Sequence, residues 1–164
     1  MTRNAIGLTP TQAGFPMEDR SFSLKLDYRG GYTFAVDFGV PGAPELILDE
    51  PVPAGDGAGP AASRLLAAAA AQCLASSLIF CLRKARVELL DLGVEVEVSM
   101  ERNEKGRLRI PGMRVRLAPG VAPEDQERLQ RCEDLFEDFC IVTQSIRKGI
   151  DVSVELMPPA STAG

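Results

Sequence analysis

The sequence predicts an α+β protein in which antiparallel sheets pack on one long buried helix. Three observations carry that prediction. Residues 22–38 alternate apolar and polar side chains around a glycine pair, and residues 94–101 and 107–117 alternate again. Between them, Arg64–Arg86 reads RLLAAAAAQCLASSLIFCLRKAR, alanine-rich and apolar nearly all round. Such a segment has high helix propensity and too few polar positions for a solvated face, so it belongs in an interior.

Each element follows from local chemistry. Phe22, Leu24, Leu26 and Tyr28 alternate with Ser23, Lys25 and Asp27, a half-buried strand. Arg29-Gly30-Gly31 turns the chain, because glycine tolerates the positive φ of a tight hairpin, and Tyr32, Phe34, Val36 and Phe38 alternate back. Glu45–Asp49 forms a third short strand, and Pro51–Pro60 is a turn-rich loop into the helix. Val94, Val96, Val98 and Met100 then alternate with Glu95, Glu97, Ser99 and Glu101. Arg107–Leu117 makes the next strand, where Pro111-Gly112 predicts a bulge or an edge. The alternating Arg107, Arg109, Arg114 and Arg116 read as a solvated sheet face. Pro123 opens a helical stretch with Glu124 and Asp125 in its first turn, where the helix dipole favours negative charge. Its apolar stripe includes Leu129, Cys132, Phe136 and Cys140, and it runs to Lys148, with Gly149 as cap. Ile150, Val152, Val154 and Leu156 alternate as a last strand.

Length and composition narrow the function. A chain of 164 residues suits one domain with a real core: we expect a core at about 22–156, an N-terminal arm at 1–20 and a disordered tail at 157–164. A net charge of −5 and a pI near 4.9 argue against nucleic acid or an anionic membrane as partner. The absence of histidine removes Ser-His-Asp and Cys-His nucleophile pairs and every histidine-ligated metal. No secretory signal is visible, and Gln72 and the serines of Leu65–Leu82 favour a core helix over a membrane span. A cytoplasmic location is expected, and no cofactor or metal is.

The four cysteines fall in two C-x7-C pairs, Cys73/Cys81 and Cys132/Cys140. Residues eight apart on one helix are separated by about 12 Å along its axis. They cannot share a zinc ion or form a bridge, which needs Cα atoms within about 7 Å. Any bridge must join one cysteine of the first pair to one of the second, and redox pairing is the functional reading that survives. Packing alone is the bland alternative, since a buried thiol is usually a small hydrophobe.

Several stretches together resemble the OsmC/Ohr family of thiol peroxidases: Leu46-Ile47-Leu48-Asp49-Glu50-Pro51, Gly55-Asp56-Gly57, Gly59-Pro60, Leu65-Leu66 and Ala69 to Cys73, then Cys140 with Ser145 behind it and the closing segment Ile150–Leu156. The likeness covers roughly residues 22–156. It implies an OsmC-like fold and an intertwined homodimer with two long helices packed centrally. The paucity of polar surface on the alanine-rich helix independently argues for a dimer. By resemblance, Cys73 is the peroxidatic thiol, Cys140 the resolving thiol and Arg29 the arginine that activates the thiolate. The expected activity is reduction of organic hydroperoxides through a Cys73 sulfenic acid, with an external thiol as reductant. Peroxide is then expected to link Cys73 to Cys140, while Cys81 and Cys132 stay reduced as helix-core residues. Two departures stand out. Ser63 occupies the place of the family glutamate that holds the arginine, and Ile141 the place of a proline often found after the second cysteine. The alternative from another class is an OsmC-like protein that binds a small apolar or electrophilic ligand without efficient turnover.

Overall fold

Glycine sets the first turn, as expected. Gly30 (φ 115°) and Gly31 (φ 54°) lie where a side chain would be strained, and they join β1 (Lys25–Gly30) to β2 (Thr33–Asp37). The structure, a computed structural model, describes residues 21–157. The expected arm at 1–20 and the tail from 158 onward lie outside the described residues. The chain divides into two compact units, Met1–Ala61 and Ala62–Gly164.

In the first unit β2 is central, antiparallel to β1 on one side and to β3 (Leu46–Leu48) on the other. Ala35 and Val36 are buried. The loop after β3 is organised by Asp49, which is almost fully buried. Its carboxylate accepts the N–H groups of Glu50 (2.8 Å), Asp56 (3.1 Å) and Ala58 (3.0 Å). These bonds, with Ala58 the strongest influence, hold its pKa below the ordinary carboxylate value. Gly55 is required by space, since a Cβ there would stand 2.6 Å from the Asp49 carboxylate.

The second unit is built on α1 (Ala62–Lys84). Ala67, Ala70, Ala71, Leu74, Leu78 and Leu82 recur every three or four residues and are buried. Ser77 satisfies its buried hydroxyl by donating to the Cys73 carbonyl (2.9 Å). The helix ends at Lys84 and the chain turns at Arg86, the only non-glycine with positive φ (57°) among the described residues; the Val87 N–H reaches back to the Leu82 carbonyl (2.9 Å). By length and hydropathy α1 resembles a membrane span. It nevertheless packs as a core helix against β4 (Asp91–Arg102), β5 (Leu108–Gly120) and the helices that follow.

β4 and β5 form an antiparallel ribbon with Val96 opposite Val115. The bulge predicted at Pro111-Gly112 is present: Ser99 faces Gly112 and Glu101 faces Arg109, so two residues of β5 oppose Met100. Arg114 and Arg116 pair with Glu95 and Glu97 on an exposed face, as expected.

Two expectations need correction. The stretch from Pro123 to Lys148 is not one helix. It comprises a 3-10 turn (Pro123–Asp125), α2 (Gln126–Glu133), a second 3-10 turn (Phe136–Phe139) and α3 (Ile141–Lys148). Leu135 (φ −121°) and Cys140 (φ −81°, ψ 101°) leave helical geometry, and i→i+3 bonds such as Cys140 N–H to the Glu137 carbonyl tighten the chain between them. The apolar stripe is compatible with a continuous helix, but only the breaks let Cys132 face Leu78 and Leu82 while Cys140 caps α3. The second correction concerns residues 150–156, which pair with no strand among the described residues. A strand needs an edge to bond to, and alternation alone does not supply one.

Candidate functional site

Two of the four sulfurs meet at the start of α3. Cys140 is its N-cap residue, fully buried, and its sulfur accepts the Thr143 N–H (3.4 Å). Cys73, half-buried midway along α1, accepts the N–H of Val142 (3.5 Å) across a separation of 69 residues. Both sulfurs thus take up N–H groups that a helix start leaves unpaired, where the dipole favours negative charge. The cysteines are free thiols, and each influences the acidity of the other.

Their environments separate their acidities. Burial, the largest influence, pushes the Cys73 thiol up, and its interaction with Cys140 adds to this; the Val142 and Ile141 N–H groups pull it back only in part. Burial also raises Cys140. There, however, the Cys73 thiol, the Thr143 hydroxyl and the Thr143 and Val142 N–H groups, which favour the charged sulfur, prevail, and the net shift is down. The Thr143 hydroxyl is buried without a well-formed hydrogen bond, and its interaction is with the Cys140 sulfur. The pair therefore acquires one shared negative charge more readily than two.

A cavity of about 420 Å³ adjoins the pair. Neither sulfur lines it; Thr143 does, as do Ala70 and Leu74, which flank Cys73 on α1. The walls are mainly apolar, with one ion pair, Arg147 to Glu137 at 2.6 Å. This pair and Thr143 were missed from sequence. Their one signal is spacing, since Thr143 is three residues past a cap and Arg147 is one helical turn further on.

The other two positions singled out from sequence have partners within their own units. Arg29, on β1, pairs with Glu45 at 3.6 Å, both half exposed. Ser63, in the first turn of α1, lines a separate hollow with Ala67, Val96 and Met100.

The expectation that Cys81 and Cys132 stay reduced is contradicted. They are joined by a disulfide, with Cα atoms 5.7 Å apart, that ties α1 to α2. The reason lies in the chain break described above, which turns Cys132 onto the α1 face that carries Cys81. Among the described residues no cluster of acidic, cysteine or histidine side chains could hold a metal ion.

Comparison with known proteins agrees with this architecture. The model of the family described as OsmC-like protein matches residues 55–155. No curated protein matches the chain in sequence. An OsmC-like protein of unknown function from Vibrio cholerae superposes with a TM-score of 0.64 at 13% identity, over 74% of this chain and 90% of that one. An organic hydroperoxide resistance protein OsmC from Legionella pneumophila gives 0.58 at 21% identity, over 79% and 92%. The organic hydroperoxide resistance protein OhrB of Bacillus subtilis gives 0.53 at 26% identity, over 83% and 98%. With the family's model spanning more than half the chain, and its antiparallel sheets and long helix in place, the chain belongs to the OsmC-like family.

Proposed function

We propose that the protein is a thiol peroxidase that reduces organic hydroperoxides at the Cys73–Cys140 pair. The observation that carries this reading is the meeting of two free, unequal thiols at the start of α3, beside an apolar cavity. Cys73 is the more accessible sulfur and acts as nucleophile. The proton of the shared pair moves to Cys140, and the Val142 N–H supports the charge left on Cys73. The Cys73 thiolate attacks the distal peroxide oxygen, the O–O bond breaks, and the alkoxide takes a proton and leaves as alcohol. The resulting sulfenic acid is attacked by Cys140, which forms the Cys73–Cys140 disulfide and releases water. Two electrons from an external thiol pair then restore both cysteines.

Arg29 enters this proposal through the family resemblance, as the cation that lowers the barrier to thiolate attack. We further propose a homodimer in a reducing, cytoplasmic setting, with residues 22–156 acting as one functional domain. Ile150, Val152, Val154 and Leu156 are 61–93% exposed in an unpaired segment, and β1 is a sheet edge with Leu26 and Tyr28 exposed, as is Leu24 just before it. Apolar rows on unpaired extended backbone call for another strand, and a second copy of the chain supplies one.

The test is to add cumene hydroperoxide to purified, reduced protein and to follow peroxide loss with thiol titration. Expected is one peroxide consumed per Cys73–Cys140 bridge formed, no reaction in Cys73→Ser, and a trapped sulfenic acid in Cys140→Ser. Oxidation no faster than that of a free thiol would sink the reading. One observation favours the ligand-binding alternative: Ser63 stands where the resemblance requires a carboxylate. In that case the cavity binds an apolar ligand and both cysteine variants bind it equally well.

A further inference from the structure

The Cys81–Cys132 disulfide takes no part in the chemistry above, yet it does not lie in a closed core. Cys132 is 2% exposed, but Cys81 is only half-buried, and both line a second cavity of about 450 Å³, a size that holds a small molecule. Its apolar wall is Phe80, Leu135 and Phe139, the two phenylalanines packed edge to face at 5.8 Å. Its charged wall is Lys84, Arg128 and Arg131, with the Lys84 ammonium 4.6 Å from the centre of the Phe80 ring. No carboxylate is among the lining residues. Arg131 pairs with Glu127 at 3.7 Å in an exposed ion pair that contributes little energy and competes weakly with an incoming anion, and Arg128 is held by the largely covered Asp125 through Nη1 at 3.0 Å; both carboxylates lie outside the cavity. A cationic cavity over a disulfide is conspicuous on a chain of net charge −5.

We propose that Cys81–Cys132 is a second, exchangeable thiol–disulfide couple, and that this cavity admits its reductant, a low-molecular-weight thiol bearing a carboxylate or sulfonate. The incoming thiolate attacks the Cys81 sulfur, the more accessible of the two. The Cys81–Cys132 bond breaks, Cys132 leaves as a thiolate that takes up a proton, and a mixed disulfide remains on Cys81. A second thiolate attacks the small-molecule sulfur of that mixed disulfide and releases a symmetric disulfide and the Cys81 thiolate, which is protonated in turn. Two thiols have each given one electron, and the two cysteines have received them. The cationic wall raises the local concentration of an anionic thiol, and the phenylalanines hold its carbon chain. The consequence is mechanical. Reduction unties α2 from α1 while leaving Cys73 and Cys140 untouched.

The inference is independent of the peroxidase reading, and its test needs no peroxide. Oxidised protein is treated with mercaptoethanesulfonate, mercaptoethanol or cysteamine at equal thiolate concentration. Opening is read by peptide mass mapping of alkylated Cys81 and Cys132, with each rate normalised to the same reaction on urea-unfolded protein. The anionic thiol should exceed the neutral one by about tenfold at low salt, the effect of two unit charges each about 6 Å away in a water-like dielectric. The cationic thiol should be slowest, and added salt should compress the series. The surface variant Arg128→Gln/Arg131→Gln should lose most of the preference while keeping its circular dichroism. Three results would overturn the proposal: a bridge that opens only in denaturant, equal normalised rates for all three thiols, or mapping that finds Cys81 and Cys132 unbonded in the oxidised protein.

Discussion

Reducing the Cys81–Cys132 bridge should cost the folded protein much of its stability. The bond closes a loop of 51 residues that contains the β4–β5 ribbon and most of α2. In the chain-entropy description, cross-linking that span removes about 14 cal/mol/K from the unfolded chain, equivalent to about 4 kcal/mol at 25 °C. For a chain of this size that corresponds to a fall in Tm of roughly 8–16 °C. The comparison uses wild-type protein with the bridge intact or held reduced by excess dithiol without alkylation, because the native side chains around Cys132 (Leu78, Leu82, Val87 and Leu129) are then unchanged up to the moment of unfolding. Both tyrosines, Tyr28 and Tyr32, lie in the first unit and there is no tryptophan, so far-UV circular dichroism of α1 in a urea titration is the appropriate signal. A difference below about 1 kcal/mol would refute the reasoning. It would mean that the two helices already hold the span closed in the unfolded ensemble, or that the bridge does not form.

Three further outcomes follow from the site and its surroundings. Ultraviolet titration of thiolate in reduced protein should show one charge appearing below the ordinary thiol range and a second above it, because the two cysteines share the first; Cys73→Ser should abolish the split, and two independent titrations at the ordinary value would contradict the shared pair. Thr143→Val removes a hydroxyl that favours the Cys140 thiolate, so closure of the Cys73–Cys140 disulfide should slow near neutral pH by up to about fivefold, the worth of one ordinary hydrogen bond, while the first oxidation step, which needs the proton on Cys140, should not slow. Asp49 has a lowered pKa in the folded state, so its contribution to stability is present above the unfolded carboxyl value and disappears as pH falls through the folded value. Asp49→Asn should accordingly be less stable than wild type at neutral pH and converge with it in acid, and parallel stability curves for the two proteins would contradict the role assigned to the carboxylate.

The sequence by itself determined the elements whose cause is local. Alternation, the Gly30-Gly31 turn and the alanine-rich run are set by side-chain period and backbone sterics, and they fixed the three-stranded sheet, α1 and the β4–β5 ribbon to within a few residues. The bulge at Pro111-Gly112 was legible for the same reason, since proline cannot donate to a ladder. Residue spacing also ruled out a Cys73–Cys81 bridge, because rise per residue forbids one within α1; for Cys132 and Cys140 the same argument assumed a continuous helix that the structure breaks. Which cysteines meet was decided by tertiary structure. A helical stripe from Leu129 to Cys140 is the same pattern whether the helix is whole or broken at Leu135 and Cys140, and only packing against α1 selects the break. That selection sends Cys132 to Cys81 and leaves Cys140 facing Cys73. Acidity is likewise a property of the assembled site. The order of the two thiols follows from burial and from N–H groups donated across 69 residues, which no local pattern encodes. The alternating segment at 150–156 has the side chains of a strand, but a strand is defined by the backbone it pairs with, and that partner is a matter of tertiary or quaternary contact.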